Sequence, residues 1–571
     1  MTVRRIAFLT LGILLALAVR ARAESARDEL LRMVPEDVGF CLVVEDLRGH
    51  AAQLLESPFV QQFKKSPMGA LLSSDRDWQK LNAGREQIEA LLEQEWAKLR
   101  DGIFGDAVVF AFRPGPPDKP HEDQVLFLLW ARDPQALEKL VERVNALQKA
   151  GGEVKAVEVR VEAGQRYYQR IGAKAAPFYA LDGPVLAVSS DEAFVREALG
   201  SRLRGPAIEP LIGQRLRRLL GTEKHLARLW INPRAFDGAV AAKTEQGSDE
   251  QKAVLKNFLT YWKALDGVAI GMGMQDDLAF TLAARAQVDR LPPAARRFLA
   301  EAAKPSELWR RFPENALLAC AGRFDVSALE ESLGGFLTPQ TRRALHDGLD
   351  RYLGAALDKD VIKDVLPCLG PDVGLCITAP DQAAKNWFPR AVWAVRVRPG
   401  DKPPHIDRAL FSALTALAQA AVIDHNGKHA QRMSLKTDVQ NQVEIKYLAG
   451  GSQFPPGLQP AFALKDGYLV LGTSPEALRR FESTEPMPKD GDLPLLRVSL
   501  KGWRSYVETH RQSLAAALAE QKKSSPAEVE KQLDSLLLGL RAFDRLEISQ
   551  RAAEGQVALT LRVRTTLPLR K

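Results

Sequence analysis

Apolar residues along this chain recur either every three or four positions or at every second position, and the two rhythms alternate. The clearest helical stripe is Leu137, Leu140, Val141, Val144 and Leu147. Asp133 stands where a cap would bond free N–H groups, Pro134 suits the first turn, and Gly151-Gly152 follows the last apolar position, so a helix is predicted between them. A second stripe, Ile88, Leu91, Leu92, Trp96 and Leu99, reads as one core-facing helix. Two more occur at Val254, Leu255, Phe258, Leu259 and Trp262, and at Val529, Leu533, Leu536, Leu537 and Leu540. Strand-like runs lie at 38–45, 107–112 and 125–130. Near residue 270 the period is two: Val268, Ile270, Met272 and Met274, then Leu278, Phe280 and Leu282 beyond an Asp276-Asp277 turn. Ala269, Gly271 and Gly273 occupy the opposite face, which is expected to lie under closely packed backbone.

The rhythm repeats. Glu29-Leu30-Leu31-Arg32-Met33-Val34-Pro35-Glu36-Asp37 returns as Glu307-Leu308-Trp309-Arg310-Arg311-Phe312-Pro313-Glu314-Asn315. Asp182-Gly183, Ser190 and Glu192-Ala193 match Asp466-Gly467, Ser474 and Glu476-Ala477. Ala279, Thr281, Leu282 and Arg285 match Ala558, Thr560, Leu561 and Arg564. Residues 158–164 pair with 444–450 as strands of similar ending, and the 134–150 region has its counterpart in Ile406, Leu410, Leu414 and Leu417. In the second copy Glu547 and Ser549 replace the glycines, and that face is expected to be wet. The matches are collinear and too far apart for a solenoid, whose units run to about 20–50 residues. The expected fold is therefore α+β: two tandem homologous domains with mainly antiparallel sheets and packed amphipathic helices. The domains are 24–290 and 307–571, and a Pro-bracketed linker at 291–306 joins them.

The N-terminus changes the picture of charge and location. Arg4-Arg5 precede the apolar run 6–19, and Ala21-Arg22-Ala23 offers small residues for a peptidase, so 1–23 reads as a signal peptide, with Arg20 and Arg22 awkward beside the cleavage site. The run is shorter than the ~20 residues that span a bilayer, so no integral span is expected after cleavage, and a retained anchor is the alternative. The protein is expected to be exported, periplasmic or extracellular, or membrane-associated through an uncleaved leader. Four leader arginines carry half of the formal +8 charge. The remaining basic residues are interleaved with acids, as on solvated helix faces, so no nucleic-acid partner is expected.

Catalytic signatures are scarce. Gly472-Thr473-Ser474-Pro475-Glu476 lacks the second glycine of a nucleophile elbow, and Ser474 and Ser190 read better as helix caps. His425 and His429, with Asp424 beside them, have a metal-ligand spacing, but Asn426-Gly427 between them favours a turn. The other histidines, His50, His121, His225, His346, His405 and His510, are scattered and read as surface residues. Gly271-Met272-Gly273-Met274-Gln275-Asp276 is half a dinucleotide fingerprint running into a strand turn. Acid pairs such as Glu330-Glu331 are local. Polar residues kept in both copies, including Asp46/Asp325, Asp106/Asp372 and Asp182/Asp466, sit at turns and caps. Cys41 and Cys320, near-equivalent in the two copies, read as buried hydrophobes, while Cys368 and Cys376 flank a Gly370–Asp372 turn and could bridge it; pairing stays open. No catalytic residue, cofactor or metal is expected.

The opening of each copy, with Val34-Pro35-Glu36-Asp37 or Phe312-Pro313-Glu314-Asn315 before an apolar strand, resembles large exported bacterial proteins of a domain-of-unknown-function family, which start on a Leu-Pro-Ala-Asp-Thr strand. The later Asp-Gly to Ser segments fit it too, while its usual Leu, Ala and Thr are replaced here. The resemblance implies an envelope or secreted protein and supplies no catalytic residues. The leading expectation is a non-enzymatic envelope protein that holds a protein partner. A hydrolase with its site between the copies, and a carrier of an apolar ligand, are the alternatives.

Overall fold

The computed structural model describes residues 26–569 except 120–121, 163, 174–176, 203–209, 245–247, 382–385, 401–404, 451–453, 487–491 and 554. The segment 1–23 expected to be a signal peptide, and His121, lie outside the described residues. The fold is α+β, and its strands divide between two compact units.

Unit 1 contains β1 (Phe40–Glu45), β2 (Ala107–Arg113), β3 (Gln124–Trp130), β4 (Ala156–Glu162), β5 (Gln165–Ile171), β6 (Phe178–Asp182), β7 (Val185–Ser189), β8 (Ala227–Ile231), β9 (Leu265–Met274) and β10 (Leu278–Ala286). They pair antiparallel in the order β4-β5-β6-β7-β3-β2-β1-β8-β9-β10. Unit 2 contains β11 (Leu318–Arg323), β12 (Leu369–Thr378), β13 (Arg390–Val397), β14 (Met433–Gln440), β15 (Val443–Gly450), β16 (Ala461–Lys465), β17 (Tyr468–Gly472), β18 (Leu493–Ser499), β19 (Phe543–Ala553) and β20 (Gln556–Thr565). Their antiparallel order, β14-β15-β16-β17-β13-β12-β11-β18-β19-β20, is the same arrangement. By this order β14 holds the place of β4, so the 158–164 and 444–450 segments, alike in alternation and final glycine, are strands from different places. The helix Asp249–Ala264, carrying the Val254 to Trp262 stripe, belongs to unit 2 although it precedes β9 in the chain.

One face of the unit 1 sheet is sealed by helices. Ala269, Trp230, Cys41, Ala111 and Leu126 face one another in register across five strands, and all are buried. Helices Glu192–Arg202 and Leu211–Leu220 lie on this side: Arg113 stacks over Phe194, and Arg215 lies over Trp230. The glycines of β9 let that cover come close, since a Cβ at Gly271 would sit 2.5 Å from His225 Cδ2. Gly271 is buried and Ser549 half-buried, so the two faces differ in the expected direction although the second is not fully wet; side chains of His225 and Leu220 cover Gly271, and at Gly273 the cover is backbone, the Lys224 carbonyl 3.3 Å from a Cβ there.

The helix Pro134–Ala150 forms as its sequence dictates. Asp133 accepts the N–H groups of Gln135 and Ala136 at 3.0 Å, and Leu137 and Val141 are buried against Leu99, Leu129 and Leu186. The Ile88 to Leu99 stripe does not survive as one helix. Glu93 takes a left-handed conformation, φ 55°, ending the helix Arg76–Leu92; a new helix runs over Trp96–Gly102. Leu99 reaches the core, whereas Ile88, Leu91 and Trp96 are exposed. The helix Ile406–Lys428 is long and apolar enough to cross a membrane by length and composition, yet Ile406, Ala409, Leu410, Ala413 and Leu414 pack against Val395, Val397 and Leu469 of unit 2.

Candidate binding surface

The other face of each sheet is only partly covered. In unit 1 the row Phe110, Leu42, Leu229, Ile270 and Leu282 runs in register across β2, β1, β8, β9 and β10. A parallel row reads Phe112, Phe40, Ile231, Val268 and Ala284, and another Val108, Val44, Ala227, Met272 and Phe280. Directly opposed residues of antiparallel strands share a face, so these rows form one apolar surface about 20 Å wide at ~4.8 Å per strand. Leu42 is 36%, Ile270 40%, Phe280 42% and Leu282 48% exposed. The helix Pro134–Ala150 roofs the β3 and β7 end, packing on Leu129 and Leu186, and Val108 of β2 packs against the same cluster. Burying each such side chain is worth about 1.5–3 kcal/mol, so an open row of this size is a standing cost to the free protein.

Unit 2 has matching rows, with Ile377 covered by the cluster of Tyr506, Val507 and Leu533. Trp393, Leu375, Cys320, Leu496, Ile548 and Leu561 form one row, and Ala391, Ile377, Leu318, Val498, Leu546 and Val563 another. Every member is half-buried or exposed. Cys320 lies here, exposed, and not in the core. It aligns with Leu42, one position out of step with the buried Cys41, and one residue in a strand moves a side chain to the opposite face. Burial holds the Cys41 and Cys376 thiols at about 12 and raises Cys320 as well, so these thiols stay protonated. β12 spans the Gly370–Asp372 segment with a shift of register against β13 between Leu369 and Val373, so the segment is not a hairpin turn, and Cys368 and Cys376 are both free.

Two cavities carry polar groups instead. In unit 2 a cleft of about 520 Å³ is lined by Asp381, Arg390, Lys436, Tyr447, Glu476 and Arg479 among others. Its charges neutralise one another. Asp381 accepts from Arg390 at 2.8 Å and from Arg480 at 2.7 Å, which holds its carboxyl below the usual range, and Arg480 does the same for Glu476. Neither acid is a proton donor near neutral pH. Ser474, at its wall, accepts the N–H of Ala477 at 3.2 Å as a helix cap, and no histidine is among the lining residues. The unit 1 cavity, about 400 Å³, is lined by Glu162, Tyr167 and Arg196. There the Tyr167 hydroxyl donates to Glu192 at 2.6 Å, which keeps it protonated.

Neither a family model nor a curated protein matches this chain.

The remaining sequence candidates are not brought together. Ser474 caps its helix, but in unit 1 Asp191 and not Ser190 takes that role, accepting the N–H of Phe194 at 3.0 Å. The helix runs through Asn426-Gly427 to Lys428 because the Asn426 amide is tied to Met433, accepting its N–H at 2.7 Å and donating to its carbonyl at 2.9 Å. His425 and His429 stack at 4.4 Å, and each spends a ring nitrogen on a backbone carbonyl, of Gln431 and His425 respectively. No group of three metal-ligating side chains occurs among the described residues. Glu330 is held by Arg342 and His346. Asp46 and Asp325 are helix caps. The Asp182-Gly183 turn is shifted by one residue, to Gly183-Pro184 with φ 57° at Gly183, whereas Asp466 and Gly467 both take positive φ. Asp372 is neither cap nor turn: it is buried within β12, accepts from the Tyr468 hydroxyl at 3.2 Å and faces Arg323 at 3.6 Å.

His50 and His225 are buried, against the surface reading, and His425 is buried too. Burial, then Arg228, pushes His225 below its ordinary 6.5, so the folded protein favours the neutral ring. The unfolded chain therefore binds more protons just below pH 6.5, and stability present above that pH is lost as pH falls toward the folded-state value. Urea titrations should show stability falling below pH 6.5 with a shallower slope in His225→Asn; equal slopes would contradict the assignment.

Proposed function

We propose that this protein is a non-enzymatic, exported binding protein built from two copies of one module, each offering its open sheet face to an apolar surface of a protein partner in the cell envelope. The observation that carries this reading is the in-register apolar row, Phe110–Leu42–Leu229–Ile270–Leu282, with its counterpart Leu375–Cys320–Leu496–Ile548–Leu561. The matching strand orders support duplication, and a repeated functional element should recur in both copies. What recurs on an accessible face is hydrocarbon: the row residues include no acid or base, and the one thiol, Cys320, is held protonated by burial and has Leu42 in its place in unit 1.

Two features favour a protein partner over the alternatives. A carrier of an apolar ligand encloses it in an apolar pocket, whereas both cavities described above are lined with ion pairs. A hydrolase needs a nucleophile within reach of a base, and Ser474 is committed to its helix cap. A broad, flat, partly exposed face suits the hydrophobic core of a protein interface.

Photo-crosslinking in the native envelope tests the reading. Benzoylphenylalanine at Leu42, Phe280 or Leu282 should give one discrete adduct of common mass. The same probe at Trp78, exposed but off the sheet, should not. No adduct at the three positions, or the same adducts at Trp78, would sink the proposal.

A further inference from the structure

We propose that β4 of unit 1 is a self-association edge, pairing antiparallel with β4 of a second copy of this chain about a two-fold axis. Among the described strands β4 pairs only with β5, so its outer N–H and carbonyl groups have no strand beside them. Such an edge is a template for another strand. Val159 is 58% and Val161 65% exposed.

The corresponding edge of unit 2 is tied at its first residue. There Asn426, on the helix Ile406–Lys428, bonds both the N–H and the carbonyl of Met433 at the start of β14, occupying the backbone as a neighbouring strand would. The helix of unit 1 does not do this. Asn145, on Pro134–Ala150, donates to the Tyr179 hydroxyl at 3.0 Å and accepts from Arg170 at 2.9 Å, turned into its own unit.

The occupant follows from the sequence of β4. In an antiparallel register centred on Val159, Val159 meets Val159 of the second copy, Val157 meets Val161, and Glu158 meets Arg160 on both sides of the axis. Directly opposed apolar and opposite-charge pairs stabilise a sheet, and like charges there oppose it. Within one chain Arg160 contacts Glu158 at 3.0 Å and Gln169 of β5 at 2.9 Å, contacts that pairing would exchange for Glu158 of the second copy. The interface is isologous and closes at two copies.

Sedimentation equilibrium of the full chain tests this. The wild type should reach dimer mass. Val159→Lys, which sets two ammonium groups face to face on the axis, and Glu158→Arg, which opposes guanidinium to guanidinium, should both be monomeric with unchanged circular dichroism. Glu158→Arg combined with Arg160→Glu reverses both charges and should restore the dimer. Val159→Cys in a Cys320→Ser background should form an intermolecular disulfide under mild oxidation. A wild-type monomer, a dimer unaffected by both single substitutions, or a failure of the charge-reversed pair to regain dimer mass would overturn the proposal. Because β4 lies outside the apolar rows, those outcomes leave the partner-binding face to its own test.

Discussion

Arg323→Met is expected to destabilise the protein by about 3 to 5 kcal/mol, the usual cost of leaving a buried charge without its partner. Asp372 is 1% exposed, on a strand in the middle of the unit 2 sheet. Its Oδ2 accepts from the Tyr468 hydroxyl at 3.2 Å and faces Arg323 at 3.6 Å, and its Oδ1 has no hydrogen-bond partner. With the guanidinium gone, the carboxylate keeps one neutral donor, the Tyr468 hydroxyl, in a site closed to solvent. Adding Asp372→Asn removes the stranded charge while leaving an acceptor for Tyr468. That double variant should recover more than half of the loss. The measurement is the urea midpoint at constant m value. A loss under about 1 kcal/mol, the size of an exposed ion pair, would show that the two groups do not depend on each other.

The example marks how far the sequence could be read. Alternation and spacing located most elements, because a strand's two faces and a helix's stripe are written residue by residue. The cap at Asp133, the glycine stop after Ala150 and the turn at Asp466-Gly467 are local chemistry and appear where expected. Asp372 looked like a turn residue because Gly370 and Pro371 precede it; only the pairing of β12 with β11 and β13 shows it to be buried. Asn426-Gly427 looked like a break, and a tertiary bond to Met433 overrides that preference. The exposure of Ile88 and Leu91 turns on one left-handed residue, Glu93, which nothing in the apolar spacing foretells.

The apolar surface is legible in part. Val268, Ile270, Leu278, Phe280 and Leu282 announced a two-faced hairpin, and Gly271 and Gly273 announced that something comes close on the other side. Which face is roofed is a long-range fact: it depends on helices from 192–202 and 211–220, remote in sequence from β9. The rows themselves join β2, β1, β8, β9 and β10, and the order of strands is what converts scattered apolar residues into one surface.

The two faces of β9 should therefore respond in opposite ways to substitution, and Gly267→Ala is expected to be the most damaging single change on the strand. A Cβ there would lie 2.0 Å from Trp230 Cη2 and 2.4 Å from Cζ3, well inside contact distance. Trp230 cannot yield easily. It is 4% exposed, faces Cys41 and Ala269 across the sheet, and has Arg215 over its ring at 5.5 Å. Overpacking of this kind costs about 1 to 3 kcal/mol. Ile270→Ala, three residues on and on the open face, should stay within about 0.5 kcal/mol, as surface changes do. Trp230→Leu alone opens a cavity, yet combined with Gly267→Ala it removes the clash, so the double variant should be less destabilised than the sum of the two singles. Thermal or urea unfolding of the four proteins decides the matter. If Ile270→Ala proved as costly as Gly267→Ala, the apolar rows would be part of the core, and a surface already paid for in stability would have nothing left to offer a partner.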